Sequence, residues 1–376
     1  MRRFIFPWVK EDLSRKMILI TGPRQVGKTY LARQYLPLFH KPQYLNFDVP
    51  ADAGIIKKQT WPPGTDLLVF DELHKMKGWK KYLKGVFDGR EEKQAVLVTG
   101  SARMETFRQS GESLAGRYFH YHLLPLSVSE LSGHMPPQDA LEVINELGGF
   151  PEPCLSGSAD YAARWRKQYY TDLVREDILE FSRINELKTM KFLMEMLRSR
   201  VGSPLSFSSI ARDLQVAPQT VQSYISILES LYIVFLVRPY HKNVARSILK
   251  EPKLYFYDTG LVLGDQGVKL ENTFAVSLLK HVHFINDTTA KGARLHYLRT
   301  KDGKEIDFAL LDDSGDMHII EVKLSNESLS RSLSFFRDKF FQDSQCTQAV
   351  MNLKREQYVD GIHIRKAAGF LAELSA

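Results

Sequence analysis

The sequence predicts an α/β chain whose first part is a parallel sheet carrying a phosphate-binding loop. Residues 22–29 read Gly22-Pro23-Arg24-Gln25-Val26-Gly27-Lys28-Thr29, a full G-x-x-x-x-G-K-[ST] pattern. The apolar run Met17–Thr21 precedes it, and Tyr30–Leu36, with apolar residues at helical spacing, follows. A second apolar stretch, Asp66-Leu67-Leu68-Val69-Phe70-Asp71-Glu72, ends in two carboxylates.

The strand–loop–helix setting is what makes the pattern chemical. Glycines let the backbone curl so that successive N–H groups face phosphates. Lys28 is the residue expected to reach the β- and γ-phosphates, and the Thr29 hydroxyl to bind magnesium. Asp71 is the expected partner of that ion, and Glu72 is placed to polarise an attacking water. The plainer reading of 66–72 is a buried strand with an acidic turn. With Glu72 intact, the pattern points to hydrolysis of a nucleoside triphosphate as well as binding.

Further strands are expected at Gln43–Phe47 and Ala95–Ser101, alternating with helical stretches as in a parallel α/β sheet. Strand ends in such sheets face the ligand crevice, so Ser101 is a candidate neighbour of the γ-phosphate, or else a simple turn residue. Arg117 stands just before a β-like stretch, Tyr118–Leu124, and is a candidate finger for a neighbouring subunit's nucleotide. Arg103 competes for that role, and ordinary surface solvation is the alternative for both. A finger given in trans implies a homo-oligomeric ring, such as a hexamer.

The bulk numbers set the class. A chain of 376 residues exceeds the usual single-core size. Hydrophobic content of 44% and charged content of 25% describe an ordinary globular protein. The two cysteines, Cys154 and Cys346, lie far apart and lack metal-ligand spacing, which argues against a disulfide framework and against zinc. Met1–Trp8 resembles the start of a signal peptide, but Lys10-Glu11-Asp12 interrupts it. The longest uncharged apolar run, Leu231–Val237, is strand-sized. A cytoplasmic protein without membrane attachment is expected. The net charge of +7 allows a nucleic-acid partner without demanding one.

From Val128 to about Leu197 the sequence turns helical; Leu141–Leu147 ends at Gly148-Gly149, and Phe150-Pro151-Glu152-Pro153 reads as a fixed turn. The aromatic and leucine positions of Tyr169–Leu179 read as bundle core. Next, Ser206–Leu214 reads as a short helix, Gln215–Ala217 as a tight connection, and Pro218 opens a second helix through Leu228. This is helix-turn-helix grammar, with Leu231–Tyr240 and Lys253–Asp258 as candidate wing strands. Gln219, Thr220, Gln222 and Ser223 are expected to face a DNA groove. Basic residues of the same region, Arg212, Lys242 and Arg246 among them, outnumber its acids. The alternative is a module serving only as a protein interface.

The last segment holds a second chemical pattern. Lys304–Leu311 is strand-like and carries Asp307; a turn at Asp312–Asp316 leads to His318–Lys323, which carries Glu321 and Lys323. Carboxylates on paired strands can share a hard divalent metal, and Lys323, on the same strand face as Glu321, can position a water or hold a phosphate. Chance alternation of charge in a hairpin is the alternative.

Taken together, these residues resemble the bacterial and archaeal AAA-type ATPases whose C-terminal half is known only as a domain of unknown function. Gly22–Thr29, Leu68–Glu72, Thr99-Gly100-Ser101, Leu114-Ala115-Gly116-Arg117, Gly148–Glu152 and Leu254–Leu261 carry the resemblance. It implies a AAA+ core (1–135), a helical region (136–200), a winged helix-turn-helix (201–262) and an α/β domain similar to the PD-(D/E)xK nuclease fold (263–376). Asp307, Glu321 and Lys323 fall on that fold's acid–acid–lysine positions. Glu271, at the start of an expected helix Glu271–His281, falls where such nucleases often carry an additional acid. The motif's leading proline is Ile306 here. The resemblance also favours Arg117 over Arg103 as the finger. The expected function is a Mg-ATP hydrolase, with ATP and magnesium as cofactors, that forms a ring and remodels structured or branched DNA such as four-way junctions. The alternatives are an ATP-gated switch acting through protein partners and an ATP-licensed, metal-dependent nuclease.

Overall fold

Three runs of five consecutively buried residues form the centre of the first sheet: β1 (Met17–Thr21), β3 (Leu67–Asp71) and β4 (Ala95–Thr99). Strands covered on both faces read as continuous apolar runs, which is why these were legible. The edges are more polar: β2 (Pro42–Asn46) and β5 (Tyr118–His122) are only partly buried. The order is β2-β3-β4-β1-β5, all parallel. Helices Pro50–Lys58 and Trp79–Asp88 flank the sheet, and Leu45, Ile56, Phe70, Leu83 and Val96 belong to its main core cluster. Near the start of the chain Phe6–Asp12 forms a short helix that buries Phe6 and Val9. The structure is a computed structural model and describes residues 1, 3–100, 114–179, 184–241, 250–325 and 328–375.

The structure divides after Leu124 into two compact units, Met1–Leu124 and Pro125–Ala376. The second begins with helices, of which Pro137–Leu147, Ala159–Leu179 and Ile184–Arg198 are the longest. Gly148 ends the first of these at φ +78. The expected turn after it is in fact a short helix, Pro151–Leu155, because Pro151 occupies its first turn, where no N–H is needed.

Helices Phe207–Leu214 and Pro218–Ser230 come next, joined by a short turn with Gln215 in the left-handed region. The Ser206 hydroxyl caps the first by accepting from the Ser209 N–H, and Pro218 opens the second. β6 (Val234–Pro239) and β7 (Lys253–Phe256) then pair antiparallel.

β6 and β7 do not form a separate wing. They are one end of an eight-stranded sheet with β8 (Arg294–Arg299), β9 (Glu305–Leu311), β10 (Met317–Lys323), β11 (Gln345–Val350), β12 (Gln357–Val359) and β13 (Ile362–Lys366). The order is β12-β13-β11-β10-β9-β8-β6-β7. Arg238 and Pro239 of β6 make the parallel join to His296 and Tyr297. The segments 201–262 and 263–376 expected from sequence therefore share a sheet, and all residues from Pro125 on fall in one unit.

Helix Gln266–Thr288 runs beside this sheet. It begins before the expected start at Glu271, because Asp265 caps it, accepting from the Val268 N–H at 3.0 Å. Inside it, Asn272 donates to the Phe256 carbonyl at 2.9 Å and accepts from the Phe256 N–H at 2.8 Å. The side-chain amide thus satisfies both backbone groups of one residue at the end of β7. Among the described residues no helix is long and apolar enough to cross a membrane.

Candidate nucleotide site and carboxylate cluster

The phosphate loop leaves β1 at its C-terminal end. Gly22 has φ +147, and a Cβ there would collide with the Leu123 carbonyl, so only glycine fits the turn. Gly27, at φ +97, opens the helix Lys28–Arg33. Buried Arg3 donates from Nη1 to the Val26 carbonyl at 2.8 Å and from Nη2 to the Leu124 carbonyl, tying the loop to the chain beyond β5.

Lys28 is buried, and its ammonium donates to the carbonyls of Gly22 at 2.9 Å and Pro23 at 2.5 Å. Burial pushes its pKa down to about 8, against the opposing pull of Glu72 and Asp71. Arg24 is half-buried, Gln25 is exposed at φ +58, and Thr29 is exposed.

Asp71 is the hub. Its Oδ2 accepts from the Thr29 hydroxyl at 2.7 Å and from the Tyr44 hydroxyl at 2.5 Å, and its Oδ1 accepts from the Thr99 hydroxyl. The topology explains this. β4 lies between β1 and β3, so Thr99 at its end reaches the Asp71 carboxylate, while Tyr44 reaches in from β2. A hydroxyl and a carboxylate at hydrogen-bonding distance are hard oxygen donors of the kind magnesium takes, so the donor set fits that ion.

Glu72, next in sequence, has φ +56, a strained conformation for a non-glycine residue that costs on the order of 1–2 kcal/mol. Its Oε2 lies 3.7 Å from His74 Nε2 and 3.7 Å from Lys75 Nζ. Burial raises its pKa, and Lys28 and Lys75 oppose the rise.

Arg117 is remote from this group within its own chain. Its backbone carbonyl accepts from the Met17 N–H at the start of β1, the end of the strand opposite the loop. Its guanidinium forms a two-pronged pair with Asp88, at 2.8 and 3.0 Å. Ser101 and Arg103 lie outside the described residues, as do Lys242 and Arg246.

The second constellation gathers on β7, β9, β10 and helix Gln266–Thr288. Asp307 accepts from the Val322 N–H at 2.8 Å. Glu321 is buried; its Oε1 lies 2.7 Å from Lys323 Nζ and 3.4 Å from the Ser330 hydroxyl, and among the described residues its Oε2 has no hydrogen-bond partner. Glu271 accepts from the Tyr255 hydroxyl at 2.7 Å and from Lys253 at 3.2 Å. Gly202, at φ +73, lies over that carboxylate; a Cβ there would come within 2.8 Å of it.

The structure therefore brings Glu271, Asp307, Glu321 and Lys323 into one cluster and adds residues not foreseen. Buried Lys253 sits among three carboxylates, 2.7 Å from Glu305, 3.2 Å from Glu271 and 3.7 Å from Asp307. Burial together with repulsion from Asp307 pushes the pKa of both Glu271 and Glu321 up to about 7. The orphaned Glu321 oxygen and the space kept by Gly202 suit a hard cation. The oxygens of Glu271, Asp307 and Glu321 do not all approach within 4.8 Å of one another, however.

On the helix Pro218–Ser230, Gln219, Gln222 and Ser223 are exposed and Thr220 is half-buried, while Val221, Tyr224 and Ile225 face inward. Arg212 is exposed on the preceding helix.

Sequence reading missed Arg3, Tyr44, Thr99, Lys253, Tyr255 and Glu305. Glu305 carried a signal, standing two residues before Asp307 on the same strand face, and Thr99 and Tyr255 lie inside segments that carry the family resemblance. The others meet their partners across chain separations that a linear pattern does not record.

Three family matches divide the chain. Residues 14–132 match the AAA domain, 139–282 a domain of unknown function (DUF8612), and 266–366 another (DUF4143). An uncharacterized protein of Mycobacterium tuberculosis is 28% identical over 328 residues, covering 84% of this chain and 72% of that protein. One of Methanocaldococcus jannaschii is 23% identical over 400 residues, covering 88% and 82%. Among solved structures, a Walker-type ATPase of Pyrococcus abyssi is similar at 15% identity and a TM-score of 0.45, covering 72% of this chain and 95% of its own. The match over residues 14–132, with Lys28, Thr29, Asp71 and Glu72 inside it, supports an AAA-type P-loop ATPase domain in the N-terminal part of this chain.

Proposed function

We propose that the chain is a Mg-ATP hydrolase that assembles into a ring and acts on DNA. The observation that carries the first part is the convergence of Lys28, Thr29, Asp71 and Glu72 at one end of the parallel sheet. In this reading the loop N–H groups and Lys28 bind the phosphates, exchanging the ammonium's bonds to Gly22 and Pro23 for phosphate oxygens. Magnesium, when bound, neutralises phosphate charge. Thr29 and Asp71 would hold it, with Tyr44 and Thr99 fixing the Asp71 carboxylate. Glu72 orients the attacking water and accepts its proton. Arg117, on the edge strand's far end, is available to a neighbouring protomer once it leaves Asp88.

The DNA part rests on the exposed face formed by Gln219, Gln222 and Ser223, with Thr220 beside it, and on the basic side chains Arg212, Lys242 and Arg246. Branched or otherwise structured DNA is the substrate class proposed. A second reading, an ATP-licensed nuclease, draws support from the unpartnered Glu321 oxygen beside Asp307 and Lys323. Metal-dependent nicking abolished by Asp307→Ala would favour it.

Steady-state ATP turnover tests the core of the proposal. Lys28→Ala is expected to abolish tight ATP binding and turnover. Glu72→Gln is expected to keep binding while turnover falls by about 100-fold or more, the usual worth of a positioned general base. Unchanged turnover in Lys28→Ala would remove the nucleotide reading altogether.

A further inference from the structure

Away from both constellations, a cavity of about 530 Å³ opens between helices Ala159–Leu179 and Ile184–Arg198 and the turn at Gly260-Leu261. Its size is in the range of small-molecule sites, roughly 300–1,000 Å³. Four cations line it, Arg166, Lys167, Lys191 and Arg198, against one acid, Glu195. We propose that this cavity binds a small phosphate-bearing ligand.

Each wall contributes an observation. Arg166 is buried; its Nε donates to Asp258 at 2.8 Å and its Nη2 to the Leu147 carbonyl, while Nη1 makes no hydrogen bond within the described residues. Tyr170 is buried too, and among the described residues its hydroxyl has no hydrogen-bond partner. A buried hydroxyl without a partner costs on the order of 1–3 kcal/mol, a deficit that an acceptor in the cavity removes. Lys167 and Lys191 are exposed, and among the described residues neither forms an ion pair. Arg166 is paired with Asp258, and Arg198 is held by the Leu261 carbonyl and paired with Glu195, so the excess charge resides in the two lysines.

A phosphate group supplies what these walls lack: close to two negative charges and several strong acceptors. Met194 and the Tyr170 ring add an apolar side, which suits a phosphate attached to an organic body. A small ligand fits better than a nucleic-acid backbone. Phosphates on the convex surface of a duplex do not reach a buried hydroxyl, whereas a free phosphate can enter the cavity.

The test is calorimetric titration of inorganic pyrophosphate into the full chain carrying Lys28→Ala, so that the loop after β1 does not contribute. One saturable site is expected. Adding Lys167→Ala and Lys191→Ala should weaken it at least about tenfold. Tyr170→Phe should weaken it about fivefold, one net hydrogen bond. Both lysines are exposed, so replacing them leaves the core intact. Should Lys28→Ala not fold, titrating the wild type against the double-lysine variant reads the same site as a loss of one binding stoichiometry. Absence of saturable binding, or binding indifferent to the lysines, would overturn the proposal. So would displacement of pyrophosphate by a short duplex at lower phosphate concentration, which would assign the charge to nucleic acid.

Discussion

Lys28 and Glu321 show how burial sets the chemistry of single side chains. For Lys28, burial favours the neutral amine, and the charge is ready for phosphate only below about pH 8. Above that, binding must first take up a proton, so the ATP dissociation constant is expected to rise by up to about tenfold per pH unit from pH 8 to 9.5. A flat dissociation constant across that interval, measured by titration calorimetry, would contradict the assignment. For Glu271 and Glu321 the sign is opposite in origin. Both are raised from an ordinary 4.5 to about 7, so the folded chain holds protons that the unfolded chain has released. Stability is therefore expected to fall as pH rises from about 4.5 to 7, and Glu321→Gln should flatten that slope in denaturant titrations. A slope unchanged by the substitution would show that Glu321 does not titrate there. Lys28, Thr29, Asp71 and Glu72 were legible because the chemistry of the loop is local in sequence. Lys253 was not: a lone lysine opening a short strand reads as a surface residue until its three carboxylate partners, 18 to 54 residues later, are seen around it.

At the scale of elements, apolar continuity and capping residues carried the reading. β1, β3 and β4 are buried on both faces, and Pro218 opens its helix as expected. The start of helix Gln266–Thr288 was read late, because the cap at Asp265 stands before a first turn of mixed polarity. The join of β6 to β8 had no local signal, resting on two residues paired with a strand more than fifty positions away. Asn272 is the buried feature that most directly links this helix to β7. Asn272→Ala would leave the Phe256 N–H and carbonyl both without their side-chain partner, and a loss of about 2–4 kcal/mol is expected from chemical denaturation. A loss under about 0.5 kcal/mol would mean that water replaces the amide at no cost.

For the whole molecule, the two units divide the chemistry. Met1–Leu124 holds the phosphate loop with its carboxylates, and Pro125–Ala376 holds the helices Phe207–Leu214 and Pro218–Ser230, the lysine-centred carboxylate cluster and the cationic cavity. In the proposed DNA reading Arg212, exposed on the helix Phe207–Leu214, contributes to salt-sensitive binding, with Arg212→Ala lowering affinity at all sequences alike and reducing the salt slope by about one. A salt slope that does not change would take Arg212 out of the interface. The claim joining the two units is that nucleotide turnover responds to DNA. The measurement that tests it is the steady-state ATP hydrolysis rate, alone and with single-stranded, duplex and four-way-junction DNA at moderate salt. A several-fold rise with one of these forms is predicted. A rate identical in all four conditions would contradict a DNA-coupled ATPase and point to a nucleotide switch working through protein partners.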